Sequence, residues 1–317
     1  MHTLAVVIEA PEALTLQYLP LNEAGEDDLL VQVAYSGIST GTERLLWSGR
    51  MPPFPGLAYP LVPGYESVGT VLRAGPATSF KAGEQVFVPG ARCFGEVRGL
   101  FGGAASHLVT AAARVARIPT SLEQQGQQEQ GVLLALAATA WHAVMVGAPG
   151  LPDLVIGHGV LGRLVARVIQ ALGGEPTVWE SNPQRSDAGG AYRVTTPEED
   201  ARKDYRCIVD VSGDDQILDS LVMRLGRGGS VVLAGFYAGR LGFSFPPAFM
   251  REVNLRIAAE WVQSDLQAVL DLVADGRLSL DGLITHREPA QHAGNAYRTA
   301  FSDPRCLKMI LDWRAAA

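Results

Sequence analysis

The run Leu154-Val155-Ile156-Gly157-His158-Gly159-Val160-Leu161-Gly162 constrains this chain more than any other stretch, because it sets a glycine pattern between a strand and a helix. Leu154-Val155-Ile156 is a short apolar run of strand type, and Arg163 to Leu172 has the spacing of an amphipathic helix that ends at Gly173-Gly174. Gly157, Gly159 and Gly162 stand in the spacing G-x-G-x-x-G. The first glycine allows a tight turn, the second lets a pyrophosphate approach the backbone, and the third lets the helix pack close on the strand. Free N–H groups and the positive dipole end at the helix start suit phosphates. Gly157, His158, Gly159, Val160, Leu161 and Gly162 are therefore the expected phosphate-binding residues, with the His158 ring facing the phosphates. In a chain with 35 glycines the alternative is a merely structural turn. Against it stands a second strand, Thr177-Val178-Trp179, which ends at Glu180, 23 positions after Gly157. An acidic side chain there accepts hydrogen bonds from ribose hydroxyls and repels a 2′-phosphate, which predicts NAD rather than NADP.

Around this unit the chain changes character. Residues 4–9, 14–19, 29–36, 64–72, 85–89, 106–110 and 115–118 read as short strands punctuated by Gly and Pro, a β-rich first part like a small barrel. The polar tract 123–130 reads as a solvated loop with a helix start. From Gln130 onward strands alternate with helices: strand 207–213, helix 214–225, the turn 226–229, strand 230–235, strand 255–259 and helix 264–275. Such alternation predicts a doubly wound parallel sheet, so the fold class is α/β. Residues 131–152 carry no formal charge, but Trp141-His142 and the break at Gly147-Ala148-Pro149-Gly150 favour a buried helix over a membrane span. The N-terminal residues lack the basic and apolar regions of a signal peptide. A net charge of −7 without a basic run excludes a nucleic-acid surface. Cys93, Cys207 and Cys306 lie about a hundred positions apart, which fits neither a disulfide framework nor a metal cluster and suits a reducing cytoplasm.

A β-rich first part followed by a nucleotide-binding part resembles the medium-chain dehydrogenase/reductase superfamily over essentially the whole chain. Val62-Pro63-Gly64-Tyr65-Glu66-Ser67-Val68-Gly69-Thr70-Val71 resembles its P-G-H-E-x-x-G-x-V segment, and Gly37-Ile38-Ser39-Thr40-Gly41-Thr42-Glu43 its first zinc-ligand segment. The resemblance implies a GroES-like catalytic domain over 1–137, completed by 267–317, and a Rossmann domain over 138–266. It also implies the homodimer usual in the superfamily, through pairing of nucleotide domains. Ser39 stands where the cysteine ligand belongs and Tyr65 where the histidine belongs, and 134–139 offers no third ligand. Zinc needs thiolate, imidazole or carboxylate donors, so no metal is expected.

Longer runs, Ser36 to Trp47, Phe54-Pro55-Gly56, Tyr59 to Ser67 and Gly99 to Ala104, resemble a zinc-free branch of that superfamily, the dehydrogenases of bacteriochlorophyll synthesis. This implies oxidation of the 3-(1-hydroxyethyl) group of a bacteriochlorophyllide, a tetrapyrrole, to 3-acetyl by hydride transfer to NAD without zinc. Without a metal, side chains must take the hydroxyl proton. Tyr65 reads either as the group that bonds the substrate oxygen and relays its proton or as packing in the space left by histidine. Ser39, Thr40 and Glu43 are relay candidates, and Glu66 tunes the site or is a structural acceptor. A phenol with a pKa near 10 needs a cationic or hydrogen-bonding neighbour to act as a base. Trp47, Phe54, Tyr59, Phe94, Leu100 and Phe101 are expected to stack on the macrocycle, with Arg44, Arg50 or Arg98 at its propionate; ordinary core and a solvated rim are the alternatives. Thr139, Arg185, Ser212, Gly213, Gly235 and Phe236 complete the expected cofactor site. Rival readings are a zinc-free quinone or enone reductase and a non-catalytic NAD(H)-binding redox sensor.

Overall fold

The computed structural model describes residues 1–53, 56–146, 150–187, 191–237 and 239–316. Two compact units divide the chain: Met1–Ala135 with Leu280–Ala317, and Leu136–Ser279 between them.

The first unit is β-rich because its segments alternate. In Asp28–Ile38 the residues Leu29, Val31 and Val33 face the core while Gln32 and Ala34 are half-buried. That strand organises a seven-stranded sheet in the order 284–289, 308–312, 28–38, 67–74, 85–88, 116–117, and the strand 107–111 also pairs with it. A four-stranded sheet, 13–20, 2–10, 61–62 and 98–99, completes the barrel-like body. The C-terminal segment thus lies inside the sheet: Met309 pairs with Ile38 and Ile310 with Gly37, antiparallel. The polar tract anchors this return. Gln127 and Gln130 donate to Asp281, and Glu129 pairs with Arg287.

The second unit carries six parallel strands in the order 193–195, 177–179, 154–156, 205–210, 225–233, 254–257. The order reverses beside the first-entered strand 154–156, the switch point at which ligands lie in such sheets. The helix Val160–Ala171 buries Leu164, Val165, Val168 and Ile169. The stretch without charge forms the helix Leu134–Met145, and among the described residues no helix is long and apolar enough to cross a membrane. Residues 147–149 lie outside the described residues.

Three expectations differ. The helix expected over 214–225 is confined to Leu218–Val222, because polar side chains take the preceding amides: Ser212 Oγ accepts from the Asp214 N–H and Asp214 Oδ1 from the Gln216 N–H. The turn 226–229 interrupts a longer strand, between the pairs Tyr205–Leu225 and Cys207–Ser230. The chain returns to the first unit at Leu280 rather than 267. The helix Gln263–Ala274 belongs to the second unit, where Asp265 bonds His142 and Arg277 donates to the Ala171 carbonyl.

Candidate active site

Strand pairing builds a polar cluster inside the first unit. Ser36 pairs with Ser67 and the Gly37 N–H donates to the Glu66 carbonyl at 2.8 Å, so the residues that follow the strand Asp28–Ile38 meet those that precede the strand Ser67–Ala74. A side chain on Gly37 would collide with the Glu66 carboxylate, so this approach requires glycine. The Tyr65 hydroxyl then donates to Ser39 Oγ at 2.7 Å, and the Phe101 ring stands edge-on to Tyr65 with centroids 5.3 Å apart. The helix Thr42–Trp47 sets Glu43 beneath Ser39: its Oε1 accepts from the Ser39 N–H at 3.0 Å and its Oε2 from the Tyr297 hydroxyl at 2.6 Å. Thr40 is half-buried between them in sequence.

Glu66 is wholly buried, and its Oε2 lies 2.6 Å from the ammonium of Lys308, itself 1% exposed. That ammonium also donates to the Ile38 carbonyl at 3.3 Å, while Glu66 Oε1 is buried without a partner among the described residues. These burials set the electrostatics. Desolvation pushes the Glu43 carboxyl up to about 7, with the hydrogen bonds from Tyr297 and Ser39 opposing the rise. Desolvation likewise raises Glu66 against the pull of Lys308. The Tyr65 phenol is pushed further above its ordinary range by burial and then by the Glu66 charge. Tyr65 is therefore a protonated donor at neutral pH. Its hydrogen-bonding neighbour is the Ser39 hydroxyl, which accepts from it without bringing it down to the neutral range, and the cation of the cluster pairs with Glu66 instead. The hydroxyls of Ser39 and Tyr65, with Glu66 paired to an ammonium and Glu43 taken by the Ser39 amide and the Tyr297 hydroxyl, do not match the donors a tetrahedral zinc requires.

The expected substrate residues divide. Phe101 is half-buried against Tyr65, and Trp47 is half-buried against Phe301, with centroids 5.6 Å apart. Phe94 is corrected: it is fully buried in the barrel core with Val6, Val62 and Ala104, where it offers no face to a ligand. Leu100 is also core, packed with Ile8, Leu46 and Leu61. Tyr59 gives its hydroxyl to the Leu46 carbonyl at 2.5 Å. Arg44 and Arg98 are exposed, and exposed Arg50 donates to Ser48. Phe54 lies outside the described residues.

In the second unit Gly157 adopts φ +95°, and a Cβ on Gly162 would strike the Gly157 carbonyl, so turn and helix meet as closely as a dinucleotide turn requires. Gly159 caps the helix at Val160 and opens it toward Leu161. Glu180, half-buried at its strand end, accepts from the His158 and Asn182 amides at 3.0 and 2.7 Å. The His158 ring is corrected. It is buried, its Nδ1 bonds the Arg185 carbonyl and its Nε2 the Tyr192 hydroxyl, so both nitrogens face protein rather than phosphate. Burial holds its pKa down at about 4. Through that carbonyl His158 anchors the loop of Arg185, whose guanidinium lies over Gly159. Ser212, Gly213 and Phe236 are exposed at the ends of the central strands, beside half-buried Gly235, and Tyr237 bonds buried Asp210 at 2.8 Å. Thr139 is half-buried on the helix Leu134–Met145.

Sequence reasoning missed Tyr297, Phe301 and Lys308. A lone lysine opening the apolar strand Lys308–Asp312 was the one visible signal, but its partner lies 242 positions away.

Comparison with known proteins agrees with this construction. Residues 25–120 match the alcohol dehydrogenase GroES-like domain family. Over its full length, and that of each relative, the chain is 55% and 54% identical to 2-desacetyl-2-hydroxyethyl bacteriochlorophyllide A dehydrogenases of Rhodobacter capsulatus and Cereibacter sphaeroides. In fold it is similar to an oxidoreductase/dehydrogenase of unknown specificity from Escherichia coli, at TM-score 0.85 and 20% identity, covering 98% of this chain and 99% of that one. It is similar also to an Escherichia coli alcohol dehydrogenase solved with NADH, at TM-score 0.84 and 21% identity with the same coverage. The chain belongs to the family of 2-desacetyl-2-hydroxyethyl bacteriochlorophyllide A dehydrogenases, within the medium-chain dehydrogenase/reductase superfamily.

Proposed function

We propose that this dehydrogenase oxidises the 3-(1-hydroxyethyl) group of a bacteriochlorophyllide to 3-acetyl, with NAD and without zinc. The observation that supports it best is the Tyr65–Ser39 hydroxyl pair at 2.7 Å, standing where the superfamily pattern places metal ligands. The carbinol hydrogen leaves with its electron pair and the hydroxyl proton leaves separately. A nicotinamide, when bound, accepts the hydride. The alcohol oxygen bonds the Tyr65–Ser39 pair, whose hydroxyls orient it and carry its proton inward. Glu43 is the carboxylate beneath this pair, poised at about 7 as a general base needs; its Oε1 holds the Ser39 N–H, so it receives the proton when the Ser39 hydroxyl turns to donate to it. Thr40 lies beside this route. Trp47, Phe101 and Tyr59 line the macrocycle's side, and Arg50 meets its propionate.

The turn 157–162 holds the pyrophosphate, with Thr139, Arg185, Ser212, Gly213, Gly235 and Phe236 around the rest of the cofactor. Glu180 supports NAD over NADP: two amides fix its carboxylate at the strand end, where it bonds a ribose and repels a 2′-phosphate. The reading includes a homodimer. The edge strand Asn254–Ile257 is exposed throughout, Ile257 at 74%, and its Leu255 lines one surface with Phe245 and Met250, 67% and 72% exposed, an apolar edge that a second copy covers. A cytoplasmic location suits three buried cysteines that form no disulfide among the described residues.

The test is the absorbance of purified protein with 3-hydroxyethyl bacteriochlorophyllide and either NAD⁺ or NADP⁺. Acetyl formation extends the conjugation, so the long-wavelength band moves to the red with NAD⁺ and not with NADP⁺. No shift with either, from protein that binds NAD⁺, would overturn the reading in favour of a reductase or a sensor.

A further inference from the structure

Two features of the buried cluster are unused by the mechanism above: the ammonium of Lys308 and the hydroxyl of Tyr297. Both come from the C-terminal return, Leu280–Ala317. Lys308 makes two contacts, one to each of the two segments that carry the hydroxyl pair. Its bond to Glu66 Oε2 at 2.6 Å grips the residue after Tyr65, and its bond to the Ile38 carbonyl at 3.3 Å grips the residue before Ser39. The register explains the reach, because Met309 pairs with Ile38, one step along the same strand. Tyr297 acts on the other flank, through Glu43 and the Ser39 N–H. Tyr65 and Ser39 sit on segments 26 residues apart, and each is tied to the same return segment.

We propose that Lys308 is a positioning residue, a clamp that holds the Ser39 and Tyr65 segments in register so that their hydroxyls stay paired, with Tyr297 steadying Ser39 from behind. The charged groups facing the clamp are Glu66 and Glu43, and the buried phenols are Tyr65 and Tyr297. A filler of equal volume would keep the packing and lose the clamp. A lysine that merely neutralised Glu66 would be dispensable once Glu66 was neutral. The consequence for turnover rests on the proposed oxidation; the clamp itself does not.

The experiment compares the parent with Lys308→Met, Glu66→Gln and the double variant. Amide hydrogen exchange is followed over residues 37–43 and 64–69, with 154–162 as the internal control. Thermal melting and steady-state kinetics with 3-hydroxyethyl bacteriochlorophyllide and NAD⁺ complete the set. The double variant keeps the test open where the single one leaves an unpaired buried charge and fails to fold. The expected result is faster exchange in both segments for the double variant than for the parent and for Glu66→Gln alone, with the control segment held, and a double variant that melts no lower than Glu66→Gln. kcat should fall on the order of 10- to 100-fold with KM nearly unchanged, as small misplacements of reacting groups do. Exchange and kcat equal to those of Glu66→Gln would overturn the clamp and leave Lys308 a charge balance. A parent that leaves the pigment unoxidised while the exchange result holds would sink the proposed oxidation alone.

Discussion

At the scale of single residues, hydroxyls stand where the superfamily pattern has a cysteine and a histidine, and each has a testable chemical consequence. Tyr65→Phe removes the donor to Ser39 and keeps the ring against Phe101. Turnover should fall on the order of 10²-fold or more while NAD⁺ affinity is unchanged, read by steady-state kinetics and NAD⁺ titration. Glu43 gives a prediction in pH. Its folded-state value of about 7 lies above the ordinary 4.5, so the folded protein keeps a proton there that the unfolded chain releases. That contribution to stability is full below 4.5 and is lost as the pH rises through about 7. Glu43→Gln imitates the neutral acid, accepting from Ser39 and donating to Tyr297, and should remove this dependence. Urea unfolding at pH 5 and pH 8 should show the variant gaining about 2–3 kcal/mol on the parent between the two. Glu66→Ala, by contrast, strands the Lys308 ammonium and should cost about 3–5 kcal/mol. Ser39, Tyr65, Glu43 and Glu66 were legible in the sequence because the motif spacing names them. Their partners were not, since nothing local in Lys308 or Tyr297 says which loop it will meet.

At the scale of elements, the glycine turn was readable because its constraint is local: strand, turn and helix follow within nineteen positions of Leu154 and depend on backbone sterics alone. Gly162→Ala should push the helix off the Gly157 carbonyl and weaken NAD⁺ binding at least tenfold by calorimetric titration, with little effect on the first unit's melting. The histidine within that turn was misread for a related reason. The motif fixes where the His158 backbone runs, but its ring is turned by Tyr192 and Arg185, which a later loop supplies. The helix expected at 214–225 failed through competition, as Ser212 and Asp214 captured amides that a helix would have used.

At the scale of the whole molecule, the exposed edge strand predicts assembly. Ile257→Lys should leave the protein monomeric in light scattering where the parent forms the proposed homodimer, and leave the unit folded, since that side chain makes little of the core. Phe94 shows the opposite error, an aromatic expected at a ligand that the closing barrel took for its own core. The sequence by itself determined the parallel sheet with its glycine turn, the β-rich first part and which side chains stand at the motif positions, because these rest on periodicity, backbone sterics and residue chemistry within short windows. Only the tertiary structure decided the depth of the site. Strand register carries Lys308 across 242 positions to Glu66, the packing of the helix Ala293–Ser302 brings Tyr297 across 254 to Glu43, and burial then sets the charge each group can bear. Contacts of that range are fixed by which strands pair and how the core closes, and no local pattern in the chain encodes them.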